Sequence, residues 1–412
     1  MGQFTELEQH GYEAGRRGKP DRLDADIAQL IGAELLEQDQ NARFDLRVCG
    51  SWSQELGRPL VSVSGEVSAH LIGNTLYDKI RATVSGYYNQ VHKSNLGEDD
   101  FIFRLGLKPQ SQVLATNGHA GDYGNPIAVA YGNFPVRLPI ERYIAVGIRD
   151  LIDEIYQDNG CVPWNIADVC GVPHLRANFC EGLKADGKIG VTALYEGTSL
   201  VRLESIAVAA AHEPWLPVEK LRIRLGRIIS AYLSITSPNF YQLGHGNPVI
   251  QINGLGDWNG GGWVDDEGTR DAKPYSDGFS TYGCNEDSCS GEDPSKPSGT
   301  GTFLARYIAS GLVGEDLAKF ARVSLVYFIG SEEPLLNVIT KGTGVYSQED
   351  LQAIVKARLP LSLSNAAEGF GLRDPRLHRA VVSASDFFQN ERFPWNNSSG
   401  SLGWPPITFF GK

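Results

Sequence analysis

The chain has 412 residues, 42% of them hydrophobic, and a formal net charge of -12 at pH 7. That is an ordinary soluble composition with room for two or three domains of about 100–200 residues. Such an acidic balance excludes broad phosphate-backbone binding, so nucleic acid is not an expected partner. No apolar run approaches the roughly 20 residues of a bilayer span, and the N-terminus lacks a basic-then-apolar leader. The expectation is a cytoplasmic protein without a membrane partner. Met1-Gly2 starts like a myristoylation site, but Glu6 stands where Ser or Thr is needed. Six cysteines without a C-x-x-C pair read as reduced thiols and argue against a structural zinc site.

In chain order, a cationic turn, Arg16-Arg17-Gly18-Lys19-Pro20-Asp21-Arg22, leads into a segment with Ile27, Leu30, Ile31 and Leu35 on one helical face. Pro20 biases Lys19 away from helical geometry, while Asp21, Asp24 and Asp26 put negative charge near the helix start, where unpaired N–H groups favour it. Taken alone, this is a well-capped helix start. Phe44 to Trp52 and Leu60 to Ala69, punctuated by Gly57-Arg58-Pro59, predict a hairpin. A helix over Ile72 to Tyr88 and a strand over Asp100 to Leu105 follow.

Residues 106 to 126 read as loop, with the glycine cluster around Asp122 letting backbone approach a ligand closely. Asp122 is there a candidate metal-side or substrate-side carboxylate. A strand, Ile127 to Tyr131, precedes a helix from Leu138 to about Tyr156 with a buried isoleucine stripe. Strands over Ile189 to Tyr195 and Ser199 to Ala210 and a helix over Val218 to Leu233 repeat that order of elements. The third round comprises Val249 to Asn253, a Gly-rich stretch to Cys289, a helix Thr302 to Leu312, and strands Arg322 to Ile329 and Leu335 to Thr340. Helices over Ser347 to Arg358 and Pro375 to Phe388 close the chain. Strands and helices segregate rather than alternate strictly, which predicts an α+β fold. The element order sets boundaries near 110 and 248, giving domains over 1–110, 111–248 and 249–412. The acidic loop from Gly260 to Asp293 reads as a solvated, partly disordered insertion, and Cys284 and Cys289 lie within it.

No P-loop and no dinucleotide G-x-G-x-x-G after a strand is present, so each glycine loop alone is a weak signal. Together the pieces carry more. Gly18-Lys19-Pro20-Asp21-Arg22 matches G-H-P-D-K, Glu37-Gln38-Asp39-Gln40-Asn41-Ala42-Arg43 matches E-Q-D-P-x-A-R, and Ser64-Gly65-Glu66-Val67-Ser68 contains G-E-[IV]-T. His119-Ala120-Gly121-Asp122-Tyr123-Gly124 matches G-A-G-D-Q-G, and Ala185-Asp186-Gly187-Lys188-Ile189-Gly190-Val191-Thr192 matches P-D-x-K-x-x-V-T. Ser290-Gly291-Glu292-Asp293-Pro294-Ser295-Lys296 matches S-G-K-D-P-[ST]-K, Tyr327 to Pro334 matches Y-A-I-G-x-x-E-P, and Phe393-Pro394-Trp395-Asn396 matches F-P-W-E. In this order, from residue 18 to 396, they make the chain resemble the S-adenosylmethionine synthetases, or methionine adenosyltransferases, as a divergent member.

The resemblance implies three similar α+β domains in a pseudo-threefold arrangement, assembled as a homodimer or homotetramer. It implies sulfur attack on C5′ of ATP with release of tripolyphosphate, assisted by Mg²⁺ and K⁺, with methionine or an analogue as co-substrate. Carried over by position, Lys19, Lys188 and Lys296 are candidate catalytic cations, joined by Arg270, which with Lys273 is the nearest cation to a tripolyphosphate-loop G-R-K that has no clean match, and Asp21 and Glu66 are the candidate metal carboxylates. Asp122, Asp186, Asp257 and Arg47 are candidate nucleotide or co-substrate contacts, with Phe240 and Tyr241 as candidate adenine stackers. Three positions depart from the motifs: Glu292 stands for the first lysine of S-G-K-D, Arg47 falls near the acid that meets the methionine ammonium, and Ser298 stands for the downstream Asp. Three readings therefore stand side by side: a synthetase, a relative acting on a purine nucleotide with a different co-substrate, and a non-catalytic nucleotide-binding paralogue.

Overall fold

The structure is a computed structural model describing residues 7–111, 120–171, 176–236, 247–270, 277–283, 287–384, 386–397 and 399–403. It is a mixed α+β chain that divides into two compact units, Met1–Pro20 with Ile140–Asp266, and Asp21–Pro139 with Glu267–Lys412.

The first unit is built on a four-stranded sheet of β1 (Leu7–Gly15), β6 (Leu183–Glu196), β7 (Ser199–His212) and β8 (Val249–Ile252), in the order β1-β6-β7-β8. β1 runs antiparallel to β6, β6 antiparallel to β7, and β8 parallel to β7. Period-two alternation turns Ile189, Val191, Ala193 and Tyr195 inward and leaves Lys188 exposed. Over the inner face lies a helix, α3 (Ile140–Gln157), whose Ile144, Ile148, Ile152 and Ile155 are fully buried. Tyr195 ties helix to sheet: its hydroxyl donates to buried Glu141 (2.6 Å) and accepts from the Ile140 N–H (3.1 Å), using donors that a helix start leaves open. Two further helices, α4 (Trp164–Val169) and α5 (Val218–Thr236), complete the unit.

The second unit holds two three-stranded sheets. β2 (Phe44–Ser53) pairs antiparallel with β3 (Arg58–Val67), which pairs parallel with β4 (Ile102–Pro109). The helix α1 (Pro20–Gln38) meets β2 through Asp24, which accepts the Gly50 N–H at 2.7 Å. A second helix, α2 (Asn74–His92), meets α1 through the Tyr87 hydroxyl on Asp26 (2.6 Å). The other sheet has the order β10-β9-β5, from β5 (Ile127–Tyr131), β9 (Phe320–Val326) and β10 (Leu335–Lys341), all antiparallel. The helix α6 (Thr302–Gly314) packs on β5 and β9, and its hydrophobic residues are all buried. Three helices, α7 (Gln348–Arg358), α8 (Leu363–Phe370) and α9 (Pro375–Ala384), follow.

The expected elements are found, with shifted ends. The strand expected to stop at Leu105 runs on to Pro109 because Gly65 to Val67 of β3 offer ladder partners to Leu107, Lys108 and Pro109. β1, α4 and α8 were not expected. The acidic stretch up to Asp293 is not the solvated insertion its composition suggests. Among its described residues Arg270 and Ser288 are fully buried, and Asp277, Phe279, Cys289 and Asp293 nearly so. Cys284 lies outside the described residues, and Cys289 is a free thiol.

Candidate functional site

In the first unit the turn after β1 closes on the start of β6. Arg16 N–H donates to Gly187 O (2.9 Å), Gly18 N–H to Ala185 O (3.3 Å) and Lys19 N–H to Arg16 O (3.0 Å). Only glycine fits at 18, since a Cβ there would lie 2.4 Å from the Ala185 Cβ. Arg16 is fully buried and anchors the turn through Nε on Asp153 (2.7 Å) and Nη1 on the carbonyls of Lys184 (2.7 Å) and Asp186 (3.1 Å). Burial pushes the Asp186 carboxyl above its usual range, while the Gly262 N–H that it accepts at 2.7 Å and the charge of Lys19 pull the other way. Two motif residues far apart in sequence, Lys19 and Asp186, are thus brought into electrostatic contact.

Lys188 is half exposed, pairs with Glu13 at 3.1 Å and rims a cavity of about 340 Å³ floored by Gly190, Ala207, Ala209 and Gln251. Asp257 accepts the Val218 N–H (3.1 Å) at the start of α5 and stands 3.7 Å from His212. That is a helix-capping position. Phe240 and Tyr241 lie outside the described residues.

The second unit carries the denser constellation. β2 turns Phe44, Leu46 and Val48 inward and leaves Asp45 and Arg47 on its other face. The Ser290–Lys296 segment is laced to this strand: Leu46 N–H donates to Gly291 O and Asp293 N–H to Phe44 O, both at 2.9 Å. Asp293, 1% exposed, accepts the N–H groups of Phe44 (3.0 Å) and Ser295 (2.8 Å) and the Ser295 hydroxyl (2.6 Å). Asp45 consequently sits opposite Glu292 in a local antiparallel bridge. Gly65 makes room on the β3 side, because a Cβ there would lie 2.0 Å from the Asp45 carbonyl oxygen and φ is +130°.

Two buried cations meet at Asp45. Arg270 reaches it at 3.3 Å and Asp287 at 2.6 Å, while Lys296 Nζ stands 3.6 Å from Asp45 and 2.9 Å from Asp122. Burial disfavours the Lys296 ammonium, but its hydrogen bond to Asp122 and the charge of Asp45 outweigh that and hold its pKa above the usual value. Arg47 is half exposed, 4.0 Å from Asp287. Glu292 is buried with Oε1 3.9 Å from Arg270, and burial first, then Asp287 and Asp45, raise its pKa well above the carboxylate range against the pull of Arg270 and Lys296. Beside this cluster the 120–124 and 327–331 segments are zipped by Gly124 N–H on Tyr327 O (3.2 Å), the reverse bond (2.8 Å) and Gly330 N–H on Ala120 O (3.1 Å). They present Tyr123 and Phe328 edge to face at 5.8 Å, both about half exposed.

Of the residues singled out from sequence, Arg47, Asp122, Arg270 and Lys296 converge here. Asp21 accepts the N–H of Thr269, the neighbour of Arg270, at 3.2 Å, and Glu66 pairs with Lys108 at 3.3 Å. Asp45 and Asp287 are the counter-ions that sequence reasoning missed. The alternation of Asp45 with Arg47 on one face of a strand was the available signal.

Residues 261–397 match the family model of the S-adenosylmethionine synthetase C-terminal domain, a stretch that contains Arg270, Asp287, Glu292 and Lys296. Over 403 residues, 94% of each chain, the sequence is 26% identical to an S-adenosylmethionine synthase of Syntrophobacter fumaroxidans. Both likenesses support the resemblance to the S-adenosylmethionine synthetase family. The synthetase C-terminal match thus covers the segment that clamps β2 and carries both buried cations.

Proposed function

We propose that this chain is a transferase of the S-adenosylmethionine synthetase type, which binds the triphosphate of ATP and lets a sulfur nucleophile attack C5′ with departure of tripolyphosphate. The observation that carries this reading is the pair of buried cations, Arg270 and Lys296, the latter on the strand-clamped Ser290–Lys296 segment, sharing Asp45. Sulfur is already a nucleophile, so the step needs no general base; it needs alignment and positive charge along the leaving phosphates. Arg270 offers a planar fork to two phosphate oxygens and Lys296 a compact ammonium. Both are neutralised by carboxylates in this state, so phosphate oxygens would exchange for Asp45, Asp122 and Asp287 rather than meet bare cations.

Among the described residues no three His, Cys, Asp or Glu side chains form a metal cage. That fits a magnesium ion carried on phosphate oxygens and touched by one or two carboxylates, for which Asp21 and Glu66 remain the candidates. Such an ion would neutralise charge developing on the tripolyphosphate. Potassium, the phosphate roles of Lys19 and Lys188, the nucleotide or co-substrate contacts at Asp122, Asp186 and Asp257, adenine stacking by Phe240 and Tyr241, domain boundaries near 110 and 248, the pseudo-threefold repeat and a homodimeric or homotetrameric assembly are proposals of the same family reading.

A second reading keeps the nucleotide chemistry and changes the co-substrate. The half-exposed guanidinium of Arg47 and the Tyr123–Phe328 edge favour a molecule with an anionic group and a larger apolar part than methionine. Either way, titration calorimetry with Mg-ATP is expected to give saturable binding that weakens roughly 100-fold or more in Lys296→Met and Arg270→Met, on the scale of losing a charge-assisted contact in a dry site. Unchanged affinity in both variants, with folding intact by circular dichroism, would rule out this cluster as the phosphate site.

A further inference from the structure

Among the described residues, charge in the second-unit cluster balances before Glu292 is counted. Arg47, Arg270 and Lys296 face Asp45, Asp122 and Asp287. Close to the segment, Arg43 pairs with Asp293 at 3.5 Å. Glu292 then adds a carboxyl group that is 5% exposed and held beside Asp45 by the backbone bridge. Its Oε2 is buried without a hydrogen-bond partner among the described residues. An ionised oxygen so placed would be both desolvated and surplus to the local cations, a costly combination. A protonated oxygen in the same place is a donor awaiting an acceptor.

We propose that Glu292 serves the nucleotide as a neutral carboxylic acid, its Oε2 hydroxyl donating a hydrogen bond to an oxygen of the bound phosphate chain. The family motif has a lysine at this position; here the donor is kept and the charge is not. The inference rests on the phosphate site proposed above. No bond is made or broken by Glu292, whose proton stays on Oε2 throughout. Burial, Asp287 and Asp45 favour the protonated form and Arg270 and Lys296 oppose it, so ionisation is displaced well above the ordinary carboxylate range. Once ionised, Glu292 repels phosphate instead of donating to it.

The test combines calorimetry of inorganic tripolyphosphate and Mg-ATP across neutral to alkaline pH with infrared difference spectra of the ligand-free protein. Wild type is expected to lose affinity about tenfold per pH unit above the Glu292 ionisation, following the population of the protonated form. Glu292→Gln, whose amide donates but cannot ionise, removes that alkaline fall, and Glu292→Ala weakens binding roughly tenfold to a hundredfold at neutral pH. The infrared spectrum should contain a protonated-carboxyl band that Glu292→Gln abolishes. Binding by wild type with the same alkaline fall in Glu292→Gln, or no such band, overturns the role of Glu292 alone. Failure of wild type to bind either ligand at any pH overturns the phosphate site and this role with it.

Discussion

At the scale of single residues, buried titratable groups make this chain's stability depend on pH in a direction that can be worked out. His92 closes α2, packs its ring 4.4 Å from that of Tyr88, and keeps Nε2 buried without a hydrogen-bond partner among the described residues. Burial alone brings its pKa down to about 4. Below pH 6.5 the unfolded chain therefore takes up a proton that the folded chain refuses. His92 contributes full stability above pH 6.5 and loses it as pH falls toward 4, about 3 kcal/mol over that window. His378, buried between Gln29 and the Leu372 carbonyl at 2.7 Å each, is shifted in the same direction by burial. Urea midpoints at pH 4.5 and 7 are expected to converge in His92→Phe, which keeps the ring and removes the titration; an unchanged gap would show that His92 does not drive the acid loss. Glu292 works with the opposite sign, since a carboxyl held protonated in the fold costs stability as pH rises above the ordinary carboxylate range.

At the scale of elements, the molecule depends on short segments laced by backbone hydrogen bonds where side chains leave no space. The Arg16–Lys19 turn against Ala185–Gly187 is one. Gly18→Ala would put a Cβ 2.4 Å from the Ala185 Cβ and 2.7 Å from its carbonyl carbon. It is expected to cost about 1–3 kcal/mol, read as a lower urea midpoint at unchanged slope. Adding Ala185→Gly should restore only part of this, because the clash with the carbonyl carbon remains. Full rescue, or no loss in the single variant, would show that the turn has slack. The long periodic helices α1, α2, α3 and α5 and the hairpin β2–β3 were legible in the sequence because each buries one apolar face at its own period. β1 was not, since Glu8, Gln9, His10 and Glu13 interrupt the apolar pattern and only its pairing with β6 identifies it. α4 and α8 are six and eight residues long, too short for periodicity to declare itself.

At the scale of the whole molecule, colinear motifs from residue 18 to 396 carried the resemblance to the S-adenosylmethionine synthetases, and the C-terminal match and the relative from Syntrophobacter fumaroxidans support it. Lys296 was legible as a motif position, and Arg270 only as the cation nearest to a motif without a clean match. Their neutralisation was not, because Asp45, Asp122 and Asp287 reach Arg270 and Lys296 from segments separated by up to 242 positions, and only tertiary structure sums such charges. The acidic stretch to Asp293 misled for the same reason: Asp277, Asp287 and Asp293 are counter-ions to Arg22, Arg270 and Arg43, where composition alone suggests a solvated loop. The central claim is that these charges hold the triphosphate of ATP while a sulfur nucleophile displaces it from C5′. Incubation of the protein with ATP, Mg²⁺ and K⁺, with and without methionine, followed by mass spectrometry of nucleoside products and phosphates, tests it most directly. The expected result is an S-adenosyl product with tripolyphosphate or its hydrolysis products, formed only when methionine or another sulfur co-substrate is supplied. Binding of ATP with its C5′–oxygen bond left intact under every sulfur co-substrate tried would contradict it.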